Sequence, residues 1–298
     1  MGYKELHETN RYPDPSFPVG VYTVTPLGIE PDGRGYRDLH WHEELQFTLV
    51  TRGKMSMRVN GEDHSLCQGQ AIFINRNLLH MTTELSEQGQ YISVNFPEKM
   101  LGFFPGSRME QDYVTPYAGN TTLPAVVLSA EEPWQQKAVA QLKTLITLLT
   151  AQEKPPGFAY QAAIYGAELW FQLISHLPET VGTPTSGDQR RQQRVREMLS
   201  FIHEHFREPI TLEQVAGAAH VSKGECCRCF QAMVRQSPMQ YLQSYRISQG
   251  QELLAHSDLS VTEVAVACGI DVSHFIQYFR RITGMTPLEY RKRFSHNC

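Results

Sequence analysis

The sequence predicts a two-domain β + α protein. An N-terminal antiparallel β-barrel is followed by a helical hairpin and then by an all-α domain of two helix-turn-helix units. Three observations carry this prediction. Residues 211–241 (TLEQVAGAAHVSKGECCRCFQAMVRQSPMQY) recur as residues 260–290 (SVTEVAVACGIDVSHFIQYFRRITGMTPLEY) at a constant offset of 49. Between residues 18 and 130, β-forming segments alternate with turn signals about every ten residues, the signature of a small barrel or sandwich. Charge is also divided: residues 189–298 carry 14 Lys and Arg against 10 Asp and Glu, whereas residues 1–188 carry 13 against 21. The net charge of −4 argues against a uniformly basic, non-specific nucleic-acid binder, while the basic C-terminal part suits phosphate.

Residues 1–17 are polar, contain Pro13 and Pro15, and read as an arm rather than a core element. From 18 to 130 a barrel is expected. The stretch His40-Trp41-His42-Glu43-Glu44-Leu45-Gln46-Phe47-Thr48-Leu49-Val50 alternates like a strand, with Leu45, Phe47 and Leu49 on one side. Positions 40, 42 and 46 share parity, so on such a strand their side chains face one way. Asn60-Gly61 is a strong hairpin signal, and segments 69–74 and 90–96 supply further strands.

Residues 131–177 predict an αα-hairpin. Val139, Leu142, Leu145, Ile146 and Leu149 form one stripe, Pro155-Pro156-Gly157 breaks the chain, and 158–177 follow as a second helix. Such a hairpin either packs on the barrel or pairs with a second copy. Residues 178–189 (PETVGTPTSGDQ) have linker composition. A helix opening at Arg190 then begins the C-terminal domain, 190–298, with Val195, Leu199, Ile202 and Phe206 as its core stripe.

Each repeat has the punctuation of two short helices. Thr211-x-x-Gln214 and Ser260-x-x-Glu263 are capping boxes, and Ser222 and Asp271 cap a second helix in each copy. That second helix has a buried stripe of Cys226, Cys229, Phe230, Met233 and Val234 in units 211–234, and of Phe275, Tyr278, Phe279 and Ile282 in units 260–283. The opposite faces carry Lys223, Gly224, Cys227, Arg228, Gln231 and Arg235, and Val272, Ser273, His274, Ile276, Gln277, Arg280 and Arg281. Arg and Gln match base edges bidentately, and Val or Ile suits a thymine methyl, so two such faces in register point to double-stranded DNA. Between the units, residues 238–256 predict one helix about 27 Å long, comparable with the 34 Å repeat of the major groove.

The two units, the linking helix and the segment GIDVSHFIQYFRRITGMTPLEYRKRF resemble the DNA-binding domain of AraC/XylS transcription regulators over about 100 residues. Gly269, Ser273, Phe275, Phe279, Gly284, Pro287 and Tyr290 carry the match. Arg235 stands where the family pattern has a helix-ending glycine, and Cys226 replaces a large aliphatic residue. The N-terminal part resembles the cupin barrel (jelly-roll-like) that many such regulators carry. There His40, His42 and His80 match the cupin metal motif, but Gln46 replaces its carboxylate. The resemblance implies a transcription regulator, an activator or a repressor, with His40, His42, Gln46 and His80 binding a small-molecule effector such as a sugar. It further implies a homodimer and, for an activator, contact with RNA polymerase.

No catalytic residue, cofactor or metal set is expected, because a neutral Gln is a weak ligand beside a carboxylate. The histidines could form a hydrogen-bonded structural network rather than a ligand pocket, and two other classes stay open. A metal-dependent cupin enzyme with a DNA-binding tail would use the three histidines, and a thiol-based redox regulator would act through Cys227 on the exposed face, Cys226 and Cys229 falling on the buried stripe. The six cysteines form no disulfide framework, the first residues do not resemble a signal peptide, and no stretch of about 18 apolar residues occurs. A soluble cytoplasmic protein without membrane partners is the expectation.

Overall fold

The computed structural model describes residues 6–10, 12–31, 38–129, 131–177 and 186–294. The chain forms two compact units that divide between Gln189 and Arg190.

In the N-terminal unit, β1 (Gly20–Thr25), β2 (Gly28–Glu30), β3 (Leu45–Arg52), β6 (Ala71–Ile74), β8 (Gln90–Phe96) and β9 (Ala125–Leu128) form a six-stranded antiparallel sheet, in the order β2-β1-β8-β3-β6-β9. A second sheet has β4 (Lys54–Val59) between β5 (Glu62–Cys67) and β7 (His80–Leu85). The expected barrel is thus two facing sheets. Val24, Val50, Met55, Met57, Val59, Leu66, Ile72 and Ile74 share one apolar cluster that includes residues of both. At one corner His40 and His80 exchange backbone hydrogen bonds of 3.1 and 2.9 Å, tying the approach to β3 to the other sheet. Asn60 (φ 50°) and Gly61 (φ 90°) make the β4–β5 turn, whose two left-handed residues match the twist of a tight hairpin.

The opposite face of the large sheet is covered by α1 (Pro133–Thr150) and α2 (Phe158–Ile174). Leu45, Phe47, Leu49, Phe73, Val94 and Phe96 pack with Leu142, Leu145, Leu169, Trp170 and Leu173 in one apolar cluster. Strand alternation therefore sends Leu45, Phe47 and Leu49 to the helices and leaves Gln46 and Thr48 for the space between the sheets. Tyr160, Ile164 and Phe171 of α2 remain exposed.

Three expectations require correction. The strand does not run from His40: β3 starts at Leu45, and a bend at Glu43-Glu44 separates it from the His40–Trp41 bridges. Common parity on one strand therefore does not explain how His40 and His42 come to lie beside Gln46. The arm is in part a packed element: His7 bridges and stacks on Trp41 with ring centroids 4.2 Å apart, the Glu8 amide donates to the Trp41 carbonyl at 2.9 Å, and Asn10 is buried. Residues 178–185 of the expected linker lie outside the described residues, whereas 186–189 already belong to α3 (Ser186–His205).

The C-terminal unit continues with α4 (Leu212–Ala218), α5 (Lys223–Met233), α6 (Pro238–His256), α7 (Val261–Ala267), α8 (Val272–Thr283) and α9 (Pro287–Phe294). Both expected capping boxes form, and Ser237 with Gln240 adds another at α6. Ser222 and Asp271 accept main-chain amide hydrogens at the starts of α5 and α8. The second head closes around Ile247, Leu254, Val264, Ala265, Cys268, Phe275 and Phe279. Gly250 is the contact point of the linking helix, since a Cβ there would stand 2.6 Å from the Phe275 ring. Ile282 departs from the expected buried stripe and is 42 % exposed. The covered stripe of α8 is centred on Phe275 and Phe279, and the last turn extends past it.

Candidate ligand pocket and nucleic-acid interface

Between the two sheets lies a cavity with polar groups from Glu8, His40, Gln46, His80, Ser93 and Asn95 on a largely apolar lining that includes Val24, Ile29 and Met57. Its empty space is ≈ 440 Å³ measured out to the mouth, but only ≈ 40 Å³ admits the centre of a water molecule. That is room for about three waters. Cross-strand pairing builds the polar wall: Gln46 lies opposite Asn95 and Thr48 opposite Ser93 on β3 and β8. Gln46 Nε2 donates to Thr48 Oγ1 at 2.8 Å, and the Thr48 and Ser93 hydroxyls share a 2.8 Å hydrogen bond. Tyr22 donates to Asn10 Oδ1 at 2.7 Å, and the Tyr91 and Thr82 hydroxyls are 2.9 Å apart.

His40, His42 and His80 converge at one end, each offering a ring nitrogen within 4.8 Å of the other two. In all three, Nδ1 faces a main-chain carbonyl: Asp38 at 2.8 Å, Glu44 at 3.1 Å and Leu78 at 2.8 Å. A carbonyl oxygen only accepts, so Nδ1 carries a proton in each ring; in His80 this leaves the lone pair on Nε2, whereas Nε2 of His40 and of His42 faces an oxygen that itself only accepts. His40 Nε2 stands 3.2 Å from Glu8 Oε2, and His42 Nε2 stands 2.9 Å from Gln46 Oε1. His80 is 2 % exposed, and its Nε2 is buried with no hydrogen-bond partner among the described residues. Burial holds the His80 ring well below its ordinary pKa, and the neighbouring His40 and His42 lower it further. The effector residues expected from the sequence are thus brought together. Glu8, Tyr22, Thr82, Tyr91, Ser93 and Asn95 were not anticipated. Ser93 and Asn95 could have been found as polar alternates in an apolar strand, whereas Glu8 carried no sequence signal.

On the first head, Lys223, Gly224, Arg228 and Gln231 are exposed and Cys227 is half-buried. Lys223 pairs with Glu213 at 2.5 Å, and Arg228 with Glu225 at 2.7 Å. On the second head, Ser273, His274, Ile276, Gln277, Arg280 and Arg281 are exposed, with Val272 half-buried. Arg281 lies over the Tyr278 ring, 4.5 Å from its centroid. Cys226 and Cys229 are core residues: burial pushes the Cys226 thiol up to about 12 and raises Cys229 as well. Thiols held protonated in this way are poor nucleophiles and poor metal ligands.

Two facing sheets with a small cavity that gathers polar groups, followed by two capped helix-turn-helix units, define a ligand-binding domain joined to a DNA-binding domain: a transcription regulator controlled by an effector. Residues 24–144 match the model of the AraC-like ligand binding domain, and residues 215–293 match that of a helix-turn-helix domain. The chain is 32 % identical over 296 residues, 97 % of both proteins, to the uncharacterized HTH-type transcriptional regulator YdeC of Bacillus subtilis. It is 25 % identical over 293 residues, again 97 % of both, to the HTH-type transcriptional activator RhaS of Escherichia fergusonii. The crystal structure of the DNA-binding domain of AdpA with a target DNA aligns with 34 % of this chain and 92 % of that one, at 33 % identity and a TM-score of 0.33. The chain belongs to the AraC family of transcription regulators.

Proposed function

We propose that the effector occupies the cavity at His40, His42, Gln46 and His80, and that α5 and α8 each enter a major groove of one DNA site. The observation that carries the first part is a buried, directional set of polar groups with little free space. Such a site favours a small polar ligand that satisfies His80 Nε2. The second part rests on the exposed Arg228 and Gln231 of α5 and Gln277, Arg280 and Arg281 of α8, at equivalent places in two capped units. The chain acts by binding DNA rather than by turning over a substrate, and it works in the cytoplasm. No helix among the described residues is long and apolar enough to cross a membrane.

The exposed row Tyr160, Ile164 and Phe171 on α2 supports a homodimer through that helix. Activation through RNA polymerase is the corresponding reading of the likeness to RhaS. The test is binding of selected operator DNA by the full chain across a panel of metabolites. His42→Ala and His80→Ala should lose the ligand response while DNA binding without ligand persists. A fragment from residue 189 onward should bind the same DNA without responding, and a response retained by that fragment sinks the pocket assignment.

A further inference from the structure

We propose that the pocket is built for a small neutral primary carboxamide. Its NH₂ group donates to His80 Nε2 and Asn95 Oδ1, and its carbonyl oxygen accepts from the Ser93 hydroxyl. This rests on reading the cavity as the effector pocket and names the ligand chemistry that completes it.

Two buried acceptors await hydrogens. His80 and Asn95 line the cavity and are 2 % and 3 % exposed. His80 Nε2 and Asn95 Oδ1 have no hydrogen-bond partner among the described residues, a desolvation cost that a donating ligand removes. What stands behind each atom fixes it as an acceptor. The His80 Nδ1 hydrogen goes to the Leu78 carbonyl at 2.8 Å, which leaves the lone pair on Nε2. For Asn95 the direction is set from Glu44. A carboxylate only accepts, so Asn10 turns its Nδ2 to Glu44 at 2.6 Å and its Oδ1 away. Asn10 Oδ1 then accepts from the Tyr22 hydroxyl at 2.7 Å and from Asn95 Nδ2 at 3.3 Å. With its nitrogen committed there, Asn95 has its oxygen left for the ligand.

The donor comes from a relay across the large sheet. Gln46 Nε2 donates to Thr48 Oγ1 at 2.8 Å, and the Thr48 and Ser93 hydroxyls are 2.8 Å apart. With Thr48 accepting from Gln46 and donating to Ser93, the Ser93 hydroxyl keeps its own hydrogen for a ligand oxygen. Ser93 and Asn95 are alternate residues of β8 and share the cavity face of that strand.

Charge and size narrow the class. The nearest carboxylates already stand against rings, Glu8 Oε2 at 3.2 Å from His40 Nε2 and Glu44 Oε2 at 3.5 Å from His42 Nδ1, so neither is left over to balance a buried cation. No Lys or Arg among the described residues lines the cavity to hold an anion, and two acceptors repel a carboxylate. A hydroxyl donates one hydrogen, whereas an amide nitrogen donates two beside an accepting carbonyl. The ≈ 40 Å³ open to water centres suits a group the size of acetamide, and a sugar requires the walls to part. Val24, Ile29 and Met57 give an apolar wall to the carbon next to the amide.

The test uses the full-length protein labelled with ¹⁵N-histidine and a set of ligands of matched size: acetamide, acetate, acetamidinium and ethanediol. Saturable acetamide binding at about millimolar concentration or below is expected, with the His80 Nε2 resonance shifting as its lone pair accepts a hydrogen. The other three should bind about tenfold more weakly or worse. Asn95→Leu should weaken acetamide binding by about tenfold and Ser93→Ala by about threefold. Melting curves verify that Asn95→Leu is folded; Ser93→Ala and the His80 resonance carry the test should it not be. Equal or tighter binding of acetate, acetamidinium or ethanediol overturns the amide assignment, as does acetamide binding that leaves the His80 resonance unmoved. A different metabolite that alters DNA binding, with acetamide inert, also overturns it. If that response is lost in His80→Ala, the effector pocket stands without the amide; if it persists there, both readings fall.

Discussion

His220 and Gly269, 49 positions apart, hold the same left-handed backbone conformation, φ 52° and φ 68°, at the turns of the two helix-turn-helix units. Arg235 (φ 60°) and Gly284 (φ 75°) repeat the relationship at the ends of α5 and α8. The fold requires this conformation at both places in both copies, and only the second copy meets it with glycine. A non-glycine residue there costs about 1–2 kcal/mol.

His220→Gly should therefore stabilise the C-terminal unit, by about 0.5–1 kcal/mol once the greater freedom of glycine in the unfolded chain is subtracted. Gly269→Ala should destabilise it by more, since its Cβ would lie 2.3 Å from the Arg207 carbonyl oxygen. Urea unfolding of both variants checks the two signs; equal and small effects would show that the turn is not strained.

Gly250→Ala should cost about 1–3 kcal/mol, because the added methyl meets the Phe275 ring at 2.6 Å in a filled core. Gly224→Ala, where a Cβ meets nothing within 4 Å, serves as the control and should unfold no earlier than the parent protein.

Arg228→Ala and Gln277→Ala should each weaken specific DNA binding by about 1–3 kcal/mol and relax preference at different base pairs, about one helical turn apart. Arg228 must first leave Glu225, an exposed pair worth about 0.2–1 kcal/mol, so its loss should be the smaller of the two. Selection from random DNA with each variant decides this, and relaxation at the same base pairs would rule out two separate reading heads.

Burial pushes the Cys226 and Cys268 thiols up to about 12 from an ordinary value near 9. The folded state thus favours the protonated thiol, and the stability this contributes is complete below pH 9 and is lost as pH rises from 9 towards 12. At pH 8 an aromatic disulfide reagent should modify the exposed Cys67 and the half-buried Cys227 quickly. Cys226, Cys229 and Cys268 should react only on unfolding. Loss of DNA binding on oxidation, abolished by Cys227→Ser, would support a thiol switch at Cys227; fast modification of Cys226 or Cys229 in the folded protein would show that they are not core residues.

The C-terminal unit was legible because its rules are local. A cap is a side chain bonding an amide two or three residues on, as Asp271 does to Ser273 and His274, and helical periodicity places Phe275 and Phe279 on one face without reference to anything distant. The Asn60-Gly61 turn and the helical hairpin were legible for the same reason. Where the covering surface stops is not a local property, so the exposure of Ile282 was missed.

The sequence by itself determined the two-part architecture, the duplicated heads and their outward faces, and the presence of three histidines and a glutamine with a common destination. Only the tertiary structure decided how they reach it. His40 and His80 meet through a bridge between segments 40 residues apart, outside any continuous strand, and His42 is turned toward Gln46 by the bend at Glu43-Glu44. Glu8 comes to His40 because backbone and ring contacts lay the arm against Trp41. Pairings between distant segments depend on which surfaces the whole chain buries together, and no window of residues contains that information.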